Sequence, residues 1–197
     1  MSKIITKIKL LNFKRFQEFS ILLQPERNLL VGDNESGKSS ILQAIDLVLS
    51  GSRSRVETLG LERLINIDAV SLFLAGARHF GQLPMMSVEV FLNEQNNPDL
   101  NGRNNSDGAL CDGLALICSP MDDYSAEIMT ILEDPSASFP FEYYSIKFRT
   151  FAGEPYGGPR KYLRHLLLDS SQINNEYATR EYVSNSRYSC QSTNDAG

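Results

Sequence analysis

The chain opens on alternation. In Lys7-Ile8-Lys9-Leu10-Leu11-Asn12-Phe13 polar and apolar positions exchange at the period of a strand with one buried face. Residues 19–23 read as a second strand, Gln24-Pro25-Glu26 as a turn, and Arg27-Asn28-Leu29-Leu30-Val31 as a third strand. The period then changes. Ile41, Leu42, Ile45, Val48 and Leu49 fall on one face of a helix, and Ser50-Gly51-Ser52 ends it with a glycine at the C′ position. Residues 59–77 are apolar with mixed period and partly helical, and Ser87-Val88-Glu89-Val90-Phe91-Leu92 alternates as a strand. Residues 93–113 are crowded with Asn, Asp and Gly, which marks a long loop or an insertion. Beyond it, 114–118 reads as a strand and 126–133 as a short helix before Pro135. Over 142–151, Tyr144, Ile146 and Phe148 alternate with Tyr143, Lys147 and Arg149 as a half-buried strand. Residues 153–159 form a Gly/Pro turn region, 162–168 are strongly apolar, and 171–183 suit a helix. The stretch 184–197 is polar and aperiodic. The pattern predicts one lobe over 1–183 followed by a loose tail over 184–197, with no internal repeat.

Between the third strand and the first helix lies Gly32-Asp33-Asn34-Glu35-Ser36-Gly37-Lys38-Ser39. It fits G-x-x-x-x-G-K-[ST], the phosphate-binding P-loop. Gly32 and Gly37 let the backbone approach phosphate without an intervening Cβ. The N–H groups of Asp33, Asn34, Glu35, Ser36 and Ser40 belong to the same anion-binding turn. Lys38 brings a compact positive charge to the β- and γ-phosphates, and the Ser39 hydroxyl is a ligand for Mg²⁺. The following helix aims its positive end at the same phosphates. A strand, the loop and a helix in this order are the context the motif requires, and they imply ATP and Mg²⁺ as ligands.

Composition narrows the class. The 197 residues suit one domain, with 42% hydrophobic content sufficient for a core. No apolar run is long enough to span a membrane, and the alternating N-terminus has no signal-peptide core. Three widely spaced cysteines, Cys111, Cys118 and Cys190, suggest a reducing, cytoplasmic setting. His79 and His165 have no metal-ligand company, so no zinc site is expected. A net charge of −5 argues against a general nucleic-acid coat. Arg53, Arg55, Arg160, Lys161 and Arg164 could form a local basic patch, although solvated surface charge is the simpler reading.

A second acidic residue near Mg²⁺ usually ends an apolar strand, and Leu166-Leu167-Leu168-Asp169 is the best match. With Asp169 at the metal the chain would be a self-contained P-loop phosphotransferase or NTPase. Ser170, where a general-base Glu would follow, favours reading Asp169 as a strand-end cap.

Ile8-Lys9-Leu10-Leu11-Asn12-Phe13-Lys14-Arg15-Phe16 together with Gly32 to Ser40 resembles the start of a RecF/SMC-like ABC ATPase. The arrangement is most similar to the N-terminal ATPase region of the OLD (overcoming lysogenization defect) family of ATP-dependent endonucleases. The specific part covers roughly the first fifty residues, with weaker support from 162–182. The resemblance implies an α/β P-loop lobe with a mixed central sheet and additional antiparallel strands ahead of the loop. It implies that Lys14 or Arg15 touches the adenine or a phosphate, and that Gln172 reaches Mg²⁺ and the attacking water. In the family, ATP is sandwiched between two lobes of a homodimer, each completed by the partner's signature motif, and DNA access follows. The Walker B Asp-Glu pair, signature motif and TOPRIM nuclease domain lie later in such proteins. None is recognisable in this chain. The resemblance therefore implies an ATPase incomplete on its own, with nuclease activity, in anti-phage defence or DNA repair, confined to a full-length relative.

Overall fold

The computed structural model describes residues 4–33 and 37–157, all within one compact unit. In chain order its strands are β1 (Ile5–Phe13), β2 (Phe16–Leu22), β3 (Met86–Leu92), β4 (Asn101–Gly102), β5 (Cys111–Pro120) and β6 (Tyr144–Thr150). Its helices are α1 (Lys38–Ser50), α2 (Arg53–Leu59), α3 (Leu61–Leu64), α4 (Ile67–Ala75) and α5 (Ser125–Glu133). The strands form a six-stranded sheet in which β2, β1, β3, β5 and β6 neighbour one another in that order, while β4 is a stub on the start of β5. Every strand pairing among the described residues is antiparallel.

The alternation seen in sequence sets the register. Ile8 faces Val90, Leu10 faces Val88, Val88 faces Leu116, and Leu116 faces Phe148. These side chains share one face and are buried. A slip of one residue would turn the whole row to the other side. Helix α1 lies across β1, β3 and β5 on this face and buries Ile41, Ala44, Leu47 and Val48. Each large aliphatic side chain so buried contributes about 1.5–3 kcal/mol. Gly51 ends α1 in the left-handed conformation at φ 57° and donates its N–H to the Val48 carbonyl, as its C′ placement predicts. The Tyr156 hydroxyl also donates to Val48 O at 2.8 Å, which ties the chain beyond β6 to the end of α1.

The opposite face is covered by the segment that reads as a loop or insertion. Its Asn/Asp/Gly chemistry serves ordered polar contacts. Glu89, buried on β3, accepts hydrogen bonds from Ser106 N at 2.8 Å and Ser106 Oγ at 2.6 Å. Asp107 pairs with both Lys7 and Lys9. Asp112 accepts from Gln95 N at 2.8 Å and Asn101 Nδ2 at 2.6 Å. Under this cover Phe91 and Phe151 pack edge to face, 4.8 Å between ring centroids.

One expectation needs correction. Residues 27–31 are not in any strand, and Leu29 and Val31 are 84% and 82% exposed. An apolar run becomes a strand only when a neighbour takes its N–H and C=O groups, and no described strand lies beside it. Arg53 and Arg55 remain more than half exposed, as the surface-charge reading has it, and each is paired with a carboxylate. They lie on α2, a helix not anticipated, whose N-cap Ser52 accepts from Arg55 N. Arg53 pairs with Glu57, and Arg55 pairs with the buried carboxylate of Asp46 on α1 at 2.6 Å. The apolar run 162–168, the helix expected over 171–183 and the tail 184–197 lie outside the described residues, as do Arg160, Lys161, Arg164 and Cys190.

Candidate nucleotide-binding site

The site is built at the start of α1. Gly37 is the N-cap, held at φ 88° and ψ 10°, and no side chain caps the helix. There is no acidic residue in its first turn to oppose an incoming anion. The positive end of a 13-residue helix therefore faces the loop with its first N–H groups directed there. Lys38 and Ser39 occupy that first turn, and Ser39 is exposed. The Lys38 ammonium folds back over the loop and donates to Gly32 O and to Asp33 O, the latter at 2.6 Å. Carbonyl dipoles hold the charge where the motif needs it, and a phosphate oxygen is a stronger partner for the same ammonium. Asn34, Glu35 and Ser36 lie outside the described residues, and so do Asp169 and Gln172.

The β1–β2 hairpin turn reaches the same place. A Cβ on Gly37 would stand 2.6 Å from Phe16 Cζ and 2.9 Å from Arg15 Cδ, so the turn is packed directly on the loop glycine. This brings Arg15 beside Gly37. Lys14, its neighbour in the turn, is half-buried, and burial lowers its pKa. Phe16 stacks on Phe19 with 4.6 Å between centroids, which stiffens the hairpin behind the turn. The turn is strained. Asn12 and Lys14 have φ 48° and 51°, left-handed values that a non-glycine residue adopts only when its surroundings hold it there.

Sequence reading missed what holds the turn. Lys14 N donates to Leu64 O at 2.7 Å, Asn66 N donates to Asn12 O at 2.9 Å, and Asn66 Nδ2 donates to Lys14 O at 2.6 Å. Phe13 and Ile65 add an isolated antiparallel bridge. The only local signal was Asn66 itself, an asparagine placed one residue ahead of a helix.

These features fit an ATP triphosphate with its Mg²⁺: an open helix N-terminus, a lysine at its first position, an exposed hydroxyl at the second and an arginine alongside. No group of three or more His, Cys, Asp or Glu side chains among the described residues is arranged to hold a metal without such a ligand. No helix among them is long and apolar enough to cross a membrane.

Comparison with known proteins agrees with this geometry. Residues 4–108, a little over half of the chain, match the family model of the AAA ATPase domain. The chain belongs to that family, and its architecture is an α/β P-loop ATPase fold. The DNA replication and repair protein RecF of Alkaliphilus oremlandii is 27% identical over 100 residues, covering 49% of this chain and 26% of that protein. RecF of Streptococcus thermophilus is 37% identical over 83 residues, 41% of this chain and 22% of its own length. RecF of Limosilactobacillus reuteri is 32% identical over 84 residues, 42% and 22% respectively. The chain thus spans about a quarter of the length of these relatives. A solved chain from the structural biochemistry of ATP-driven dimerization and DNA-stimulated activation of SMC ATPases is a more distant likeness. It shares 22% identity over 68% of this chain and 81% of its own, with a TM-score of 0.37.

Proposed function

We propose that this chain is the ATP-binding portion of an OLD-like ATP-dependent endonuclease whose full-length form acts on DNA. The observation that carries the nucleotide assignment is the uncapped start of α1, with Lys38 drawn over the loop and Ser39 exposed beside it. Lys38 moves from the loop carbonyls to the β- and γ-phosphates when ATP binds. Ser39 supplies an oxygen to Mg²⁺, a cation that keeps few protein ligands. Gly32, Asp33, Asn34, Glu35, Ser36, Gly37 and Ser40 supply the surrounding turn, and Lys14 and Arg15 supply positive charge from the side. Gln172 is assigned to Mg²⁺ and the attacking water. DNA as the eventual partner is supported by the relatives' description as DNA replication and repair proteins. Closure around ATP as a homodimer belongs to the same reading.

Titration with a fluorescent ATP analogue tests the site. Lys38→Ala should lose about 2–4 kcal/mol of binding free energy, the cost of removing one partner from a close charge pair. Its circular dichroism should match that of the parent chain. Ser39→Ala should lose affinity chiefly when magnesium is present. Equal affinity in Lys38→Ala would remove the nucleotide assignment, and equal losses of Ser39→Ala with magnesium and with EDTA would remove the metal role.

A further inference from the structure

We propose that Asn66 is a positioning residue of the nucleotide site, holding the Lys14–Arg15 turn against Gly37 so that its cations meet the bound phosphates. This inference rests on the nucleotide-binding reading above.

Asn66 is completely buried, and each polar end of its side chain has a different partner. Its Oδ1 accepts from Ala69 N at 2.8 Å and caps α4. Its Nδ2 donates to Lys14 O at 2.6 Å, 52 residues earlier in the chain. A helix cap alone does not need an amide, because Ser, Thr and Asp cap as well. The chemistry that asks for asparagine is the simultaneous acceptor and donor. The donor goes to the one residue of the turn whose φ is left-handed and whose next neighbour packs on Gly37. The Asn66 backbone N–H bonds Asn12, the other left-handed residue. One buried residue thus bonds both strained positions flanking Phe13, beside the Lys14 N–Leu64 O bond and the Phe13–Ile65 bridge. Without the Nδ2 bond the Lys14 carbonyl is left unpaired, and the turn relaxes toward ordinary φ. Arg15 and Phe16 then withdraw from the loop glycine. A shift of about 1 Å is enough to spoil alignment with a bound phosphate.

The test uses Asn66→Ser and Asn66→Thr, which keep an oxygen for the α4 cap but are too short to replace the donor to Lys14. Either should weaken binding of a fluorescent ATP analogue with Mg²⁺ by about 5- to 20-fold, the scale of one buried hydrogen bond to a site that depends on it. Circular dichroism should remain that of the parent, and the threonine variant serves where the serine variant melts below the assay temperature. The same substitutions are then made in a Lys14→Ala, Arg15→Ala background. There they should have no further effect, because nothing is left to position. Unchanged affinity in folded Asn66→Ser or Asn66→Thr overturns the proposal. An undiminished loss in the double-alanine background also overturns it, since Asn66 would then act on the fold at large. Failure of the nucleotide reading is separate: the parent chain would not bind the analogue, or Lys38→Ala would bind as well as the parent.

Discussion

Gly37 is where conformation and packing demand the same residue. Its φ of 88° disfavours any Cβ, and that Cβ would collide with the Phe16 ring. Gly37→Ala should therefore destabilise the fold by about 1–3 kcal/mol, more than an exposed glycine-to-alanine change, and push the hairpin turn off the loop. Urea denaturation reads the first effect and ATP-analogue titration the second. A variant as stable as the parent would mean that the turn does not pack on the loop in solution. Cys118 makes the opposite case, a chemically capable group rendered inert. It is fully buried, and burial pushes its thiol pKa up to about 12. In native protein at pH 8 it should resist iodoacetamide, with labelling located by peptide mass spectrometry, and should react once urea unfolds the chain. Rapid labelling of Cys118 in the native state would show that the β3–β5–β6 face opens readily.

At the scale of elements, the sequence is legible where an element carries its own reason to form. β1, β3, β6 and α1 each place a regular apolar face against the core, and their positions follow from that period. The segment 27–31 shows the converse. Its composition suits a strand, but a strand's partner is not encoded in the strand, and among the described residues it has none. Leu29→Thr and Val31→Thr should thus change stability by less than about 0.5 kcal/mol, as exposed substitutions do. A loss of 2 kcal/mol or more in thermal melts would show that this segment is paired in solution. Helix α2 was illegible for a different reason. Seven residues with two arginines look like surface charge until Asp46 is seen to be buried beside them. Arg55→Ala removes the guanidinium from that buried carboxylate and should cost about 1–3 kcal/mol, the scale of a buried polar group losing a charged hydrogen-bond partner. Arg53→Ala removes only an exposed pair with Glu57 and should cost less than about 1 kcal/mol. Equal effects of the two in chemical denaturation would mean that Asp46 is solvated.

At the scale of the whole molecule, the P-loop motif was readable because its residues are contiguous, from Gly32 to Ser39. The bonds between Asn66 and the hairpin turn were not, because the two meet only after folding. The transition-state machinery is not legible in either form. No Walker B Asp-Glu pair, signature motif or TOPRIM-type acid cluster is recognisable in the sequence, and Asp169 and Gln172 lie outside the described residues. The adjacent acids Asp122 and Asp123 sit exposed on a short helical turn, with no third acid among the described residues to share a metal. Hydrolysis of ATP depends on charge stabilisation around the γ-phosphate, and one missing group there is worth about 10³–10⁵ in rate. DNA cleavage needs carboxylates gathered around metal ions. This chain is accordingly expected to bind ATP, to turn it over very slowly and to leave DNA intact. Phosphate release and plasmid nicking, each with magnesium and with manganese, measure the two activities. Brisk turnover abolished by Asp169→Asn would make the chain a self-contained NTPase with Asp169 at the metal. Metal-dependent nicking by the purified chain would place a nuclease centre in residues that neither the sequence pattern nor the described fold brings together.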